Sequence, residues 1–178
     1  IGNVVVSPSE FMPRLFAENG RLLDSQGRIT LDTPEALRAL ENYRETYSYS
    51  DRTIYDFWKN ALEGFADGTA AMTVVFINYA SHILNSQMSR IAGKLGFAPV
   101  PGGKPLLGGG VIGIAQSCTC PAAACKFLEW LYADLVAPVF TMLGGLSPCR
   151  SAYSNRDISE QYPWLSTARK SFPTAQRR

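Results

Sequence analysis

The sequence holds a single histidine, His82, and no excess of one charge: 17 Lys and Arg stand against 15 Asp and Glu in 178 residues, a net charge of +2. A balance so near neutral gives no electrostatic footprint for nucleic acid or for an anionic membrane, and the Arg177–Arg178 tip reads as a solvated end. No apolar run approaches the roughly 18–20 residues that span a bilayer, and the charged-then-apolar pattern of a secretory signal is missing. The chain opens at Ile1, without a Met, on the strand-like IGNVVV and closes at FPTAQRR. Those ends predict an excerpt of a longer polypeptide, incomplete on both sides.

A catalytic set is missing as well. Such chemistry needs a nucleophile, a base and a group that orients the base. His82 falls on a predicted helix beside Ile83 and Leu84 and reads as a structural or surface residue, while Glu41 and Glu45 read as solvated helix-face carboxylates. GLSPC is not a G-x-S-x-G elbow, and Gly93-Lys94-Leu95 lacks the Ser/Thr and the upstream glycine of a phosphate loop. Cys118, Cys120, Cys125 and Cys149 begin as C-x-C-x4-C, which fits no zinc knuckle or ribbon. They are expected to be four free thiols, a pattern better suited to a reducing compartment than to export. Were a bridge to form, Cys118 or Cys120 would pair with Cys125 or Cys149, because Cys118 and Cys120 are too close together to bridge without strain. The sequence therefore predicts a binding protein with no catalytic residues, no cofactor and no metal.

What is present is a regular alternation of elements. Ser7-Pro8-Ser9-Glu10 caps a helix with Phe11, Leu15 and Phe16 on its apolar face, ended by Gly20. A turn at Gln26-Gly27 follows, and Asp32-Thr33-Pro34-Glu35 caps a second helix through Tyr47. A third helix is expected from about Tyr55 to Asp67, stopped by Gly68. AAMTVVFI, 70–77, is a continuous apolar run of strand length, as in a strand covered on both faces. A helix over 78–87 and a strand over 94–100 come next, with a turn at Pro101-Gly102-Gly103. Pro121 is expected to open the longest helix, to about Ala137, with Phe127, Leu128, Leu131 and Leu135 as its stripe. The loop 144–148 and a loosely helical 160–171 complete an α/β pattern.

Gly108-Gly109-Gly110-Val111-Ile112-Gly113 spells G-x-G-x-x-G, the fingerprint of dinucleotide-binding folds. Its glycines must follow a strand and open a helix, so that a pyrophosphate rests on the helix N-terminus. Here they lead into the β-branched run 111–115, and no helix can start before Pro121, so a nucleotide cradle is not expected. Two readings stay open: a tight turn before a buried strand, or a backbone left bare so that a ligand can approach it.

FADGTAAMTVVFINYA, GKLGFAPVPGGKPLLGGGVIGIA, CKFLEWL and MLGGLSPCRSAY follow one another in an order that resembles the extracellular solute-binding proteins of family 1. These are sugar-binding receptors of ATP-driven importers, relatives of maltose-binding protein, and NGRLLDSQGRITLDTPEALRALENY extends the likeness upstream. The resemblance implies a type II periplasmic-binding-protein-like α/β fold, with mixed sheets flanked by helices in a discontinuous two-lobe layout. Residues 1–67 would lie in the C-terminal lobe, 68–102 would return to the N-terminal lobe, and 103–178 would cross back. A sugar or oligosaccharide would sit between the lobes, with an ABC-transporter permease as partner and no nucleic acid.

By the same resemblance Tyr79 would stack on a sugar ring, and Asn78 would bind a hydroxyl. Gly108, Gly109 and Gly110 would offer bare backbone, and Arg150 would be the loop arginine, on ligand or on a carboxylate. The alternative for Tyr79 is a helix-start residue packed against Phe76, and Gly110-Val111 stand where the family often has an aromatic or a serine. The implied address is extracytoplasmic, the periplasm or cell surface. The cysteines keep a cytoplasmic alternative open, in which the same module is the sugar-sensing effector domain of a transcription regulator. A structural or adaptor role would require an exposed apolar face.

Overall fold

The computed structural model describes residues 7–50, 58–154 and 156–177. The strand-like IGNVVV and the start of the expected third helix, 55–57, lie outside the described residues. Helices α1 (Ser7–Ala17) and α2 (Pro34–Ser48) form the first packed unit. The Thr33 hydroxyl accepts from the Ala36 amide at 3.2 Å, the N-cap expected of that residue, and Pro34 needs no partner for an amide it lacks. Met12, Leu15 and Phe16 bury against Ala36 and Ala39, small residues that let the two helices close. Arg14 ties the pair laterally: Nη2 donates to Thr46 Oγ1 at 3.1 Å, and its guanidinium lies 4.8 Å from the centre of the Tyr43 ring. Between them the chain reverses at Gly27, φ 77°, so that Leu23 pairs antiparallel with Ile29.

Helix α3 (Trp58–Ala66) stops at Gly68, φ 80°, and buries Leu62 and Ala66 against Ile83 of the short α4 (Ala80–Leu84). The expected long helix is two: α5 (Pro121–Leu131) and α6 (Val136–Met142). Pro138 explains the break, since its ring would collide with the carbonyl of residue 134 in a continuous helix and it has no N–H to bond there. The tail likewise divides into α7 (Arg156–Gln161) and α8 (Pro163–Ser171), interrupted at Tyr162 by Pro163. The main core joins Ala80, Ala137, Ala152, Tyr153, Trp164, Leu165 and Ala168, with Ile77, Leu84 and Phe97 packed on it. Residues 77–97 and 137–168 thus share one core.

The expected mixed sheets are not formed among the described residues. The segments 70–76, 95–100 and 107–115 are neither helical nor laddered; two isolated bridges, Leu23 to Ile29 and Leu106 to Gln176, are the β pairing described. No backbone amide of 70–76, 95–98 or 109–115 donates a hydrogen bond to a described residue. Strand-quality sequence does not suffice for a strand: the ladder needs a neighbour about 4.8 Å away, and here none lies alongside.

Candidate functional site

Asn78 and Tyr79 lie in a 3₁₀ turn, Ile77–Tyr79, closed by the Tyr79 amide donating to the Phe76 carbonyl at 3.0 Å. Both are half-buried. Tyr79 packs on the Leu62–Ala66–Ile83 cluster, so its ring serves the core that holds α3 to α4. The aromatic beside the glycines is Phe76 instead. A Cβ placed on Gly108 would sit 3.7 Å from Phe76 Cε1, an ordinary van der Waals contact, and Phe76 is partly open to solvent. In the sequence Phe76 is one more member of a continuous apolar run; in the structure Met72, Val74 and Phe76 are exposed with a period of two.

Gly108, Gly109 and Gly110 are exposed, and none has the positive φ that a tight turn would demand. Around Gly109 and Gly110 nothing lies within 4 Å of an added Cβ, and the amides of both donate to no described residue. Among the described residues the backbone of the glycine stretch is bare and open. The stretch is anchored on its N-terminal side, where the Leu107 amide donates to the Gln176 carbonyl at 2.7 Å and Gln176 donates to Pro105 at 2.9 Å.

The Gly144–Pro148 loop reaches the same neighbourhood from the other side. Gly144, φ 94°, lies so close to α4 that a Cβ there would overlap Ser81 Oγ and come within 3.4 Å of the Asn78 carbonyl; one on Gly145 would fall on the Phe140 ring. Tyr153 Oη donates to the Ser147 carbonyl at 2.9 Å, Ser147 Oγ accepts from the Cys149 amide at 3.1 Å, and Ser151 Oγ bonds Asp134 Oδ1 at 3.4 Å. Arg150 opens the 3₁₀ turn Arg150–Tyr153 with its side chain exposed, and among the described residues it forms no ion pair. The structure thus unites Phe76, Asn78, Gly108 and the Gly144 loop, turns the Tyr79 ring inward, and records no contact between Arg150 and the others. His82 is half-buried on α4, and no group of three or more His, Cys, Asp or Glu among the described residues could hold a metal.

Burial pushes the Tyr153 phenol above its ordinary value of 10.0, while its hydrogen bonds to Thr141 and Ser147 oppose the shift. A raised folded-state value means that the native protein keeps a proton the unfolded chain gives up. This contribution is whole below pH 10 and is lost as pH rises beyond it. Tyr153→Phe is expected to destabilise the protein by about 1 kcal/mol at pH 7, the worth of one buried hydrogen bond. It should also flatten the fall in Tm between pH 9 and 11; equal slopes for both proteins would exclude the assignment.

A cleft between α1, α2 and the segments at Val74 and Val100, lined also by Glu10, Arg14 and Asn42, encloses about 70 Å³. That is far below the roughly 300–1,000 Å³ of ligand pockets. A wider, open depression of about 610 Å³ lies on one face of α2, lined by Glu41, Arg44, Glu45, Tyr47 and Ser48. The open surface at Phe76 and Gly108–Gly110 is the candidate site.

Residues 7–167 match the bacterial extracellular solute-binding protein family. The chain belongs to this family. The family and both solved neighbours are solute-binding proteins, not enzymes. Maltose-bound MalE3 of T. maritima superposes with a TM-score of 0.82 at 25% identity, over 96% of this chain and 46% of that one. An ABC-transporter solute-binding protein of Agrobacterium radiobacter in complex with ribitol gives 0.72 at 23% identity, over 93% and 44%. The chain thus spans less than half of either neighbour, and both share the type II periplasmic-binding-protein fold. No curated protein matches the sequence. No helix among the described residues is long and apolar enough to cross a membrane.

Proposed function

We propose that the chain supplies one wall of a cleft that holds a sugar or polyol, as part of the substrate-binding component of an ABC transporter outside the cytoplasm. The observation that carries this reading is the Phe76 ring set against Gly108, next to the open backbone of Gly109 and Gly110. A sugar or polyol presents C–H surface to an aromatic face and hydroxyls to unpaired N–H and C=O groups, and this surface offers both. Asn78, two residues on from Phe76, would be a further hydroxyl partner, and the resemblance adds Arg150, whose side chain is exposed. The bound ligands of the two neighbours, maltose and ribitol, belong to that chemical class. Solute handed on from the cleft would pass to a permease.

The test is calorimetric titration of mono- and disaccharides and of polyols into the protein expressed with its native flanking coding sequence. Phe76→Ala is expected to weaken the best ligand at least tenfold, about 1.4 kcal/mol, with an unchanged Tm. Micromolar binding of a nicotinamide cofactor in place of any polyol would overturn the reading.

A second reading, a cytoplasmic sugar sensor, is favoured by one observation: all four cysteines are free, with Cys120 and Cys125 exposed. Thiol titration of the denatured, unreduced protein is expected to return four thiols. Two or fewer would remove the support for the sensor and favour export.

A further inference from the structure

We propose that the small cleft between α1 and α2 is the far end of the Phe76 surface, where Glu10 takes hydroxyls from the second ring of a neutral oligosaccharide. The inference rests on the reading of Phe76 and Gly108–Gly110 as a sugar or polyol site, and adds to it a length and a charge. Val74 links the two places. It lines the cleft and stands two residues before Phe76, and Met72, Val74 and Phe76 are exposed at a period of two. Backbone that alternates in this way is extended, as Phe76 itself is at φ −66° and ψ 144°. Side chains two residues apart then leave one face about 6–7 Å from each other. A ligand lying on Phe76 reaches the cleft by extending along that face.

The cleft has an apolar wall, Val74, Val100 and Pro101, and a polar one that includes Glu10, Arg14 and Asn42. Its volume of about 70 Å³ is too small for a whole sugar ligand. A water-sized group needs roughly 10–15 Å³, so the cleft has room for a few hydroxyls of one end of a ligand. Arg14 is committed to the protein. Its Nη1 donates to the Glu10 carbonyl at 2.6 Å and lies 3.3 Å from Glu10 Oε2, and Nη2 donates to Thr46 Oγ1 at 3.1 Å. The Tyr43 ring, 4.8 Å away, holds the guanidinium from another side. This clamp fixes the Glu10 carboxylate by one oxygen and leaves Oε1 without a hydrogen bond to a described residue. Arg14 Nε is also buried without an acceptor beside the same cleft. Glu10 is thus the specificity residue, and Arg14 positions it.

The chemistry of this wall selects its ligand. A hydroxyl donates and accepts at once, so it can give its proton to a carboxylate and take one from the Asn42 amide. A carboxylate on the ligand would face the charge of Glu10 while Arg14 is already paired, and an ammonium would face Arg14. Neutral hydroxyls meet neither repulsion. Bonds to a carboxylate are about twice as strong as neutral ones, so the preference for a second ring is set chiefly by Glu10. A single ring on Phe76 gains nothing from the cleft.

The test is calorimetric titration of the protein expressed with its native flanking coding sequence. Neutral disaccharides are compared with the monosaccharides they contain, with ribitol and with glucuronate. A disaccharide is expected to bind at least tenfold more tightly than its own monosaccharide. Glu10→Gln should weaken that disaccharide about tenfold, the difference between a charge-assisted and a neutral hydrogen bond, and leave the monosaccharide within about twofold. Asn42→Ala should likewise weaken the disaccharide alone, whereas Phe76→Ala weakens both sugars. Glu10 is half-buried and Asn42 exposed, so each of these two variants should keep its Tm within about 2 °C. Equal losses for both sugars in Glu10→Gln, or no loss for either, would overturn the inference while the Phe76 reading stands. A monosaccharide, ribitol or glucuronate as the tightest ligand would overturn it in the same way. Binding of none of these compounds, with Phe76 intact, would defeat both readings together.

Discussion

Trp164→Ala is expected to cost about 3–5 kcal/mol, a third or more of the 5–15 kcal/mol that ordinarily holds a domain together. The indole is 2% exposed and is the largest side chain of a core otherwise built from Ala80, Ala137, Ala152 and Ala168 with Leu165 and Tyr153. Alanines cannot reach into a void, and they lie on four separate elements, so the cavity would remain rather than collapse. The indole Nε1 is buried without an acceptor, so the cost is purely one of volume and contact. Trp164→Phe should therefore be much milder: the smaller ring loses some contact but removes an orphan donor worth about 1–3 kcal/mol. Urea unfolding followed by circular dichroism checks both. The alanine variant should lose midpoint with little change in slope, and a loss under about 1 kcal/mol would show that the core repacks.

Capped helices were the legible part of this fold. Thr33 before Pro34-Glu35, Gly27 in its turn and Gly68 after α3 each act through their own backbone, so a local reading finds them. The breaks at 132–135 and at Tyr162 were equally local, and both follow from prolines, Pro138 and Pro163, that carry no apolar signal to draw the eye. The sheets were legible only as potential. The runs 70–77 and 111–116 have strand composition, but pairing is a property of two segments, and the described chain supplies one. At the site the family motifs pointed to Asn78, Tyr79, Gly108–Gly110 and Arg150, and the contact the fold makes there is Phe76 against Gly108. Spacing does not reveal which way an aromatic turns: the packing of Tyr79 depends on Leu62 and Ala66 of α3 and Ile83 of α4.

The Gly144-Gly145 pair offers the sharpest test of how that site is held. Gly144→Val is expected to destabilise the protein by about 2–5 kcal/mol, from a left-handed backbone costing about 1–2 kcal/mol and overpacking costing about 1–3 kcal/mol. At φ 94° the backbone suits glycine, and the new Cβ would overlap Ser81 Oγ and stand 3.1 Å from Ser81 Cβ and 3.4 Å from the Asn78 carbonyl. The strain thus falls on the turn that carries Asn78 and follows Phe76, so solute binding should weaken at least tenfold along with stability. Gly109→Ala is the contrast: with open space around it and no positive φ, it should leave Tm unchanged. Ser81→Ala placed on Gly144→Val separates the two causes, because it removes the overlapping hydroxyl and leaves the backbone strain. Recovery of about half the lost stability is expected, read as the coupling in a double-mutant cycle. Full recovery would assign the whole effect to the hydroxyl, and additive losses would mean that the loop and α4 do not meet in solution.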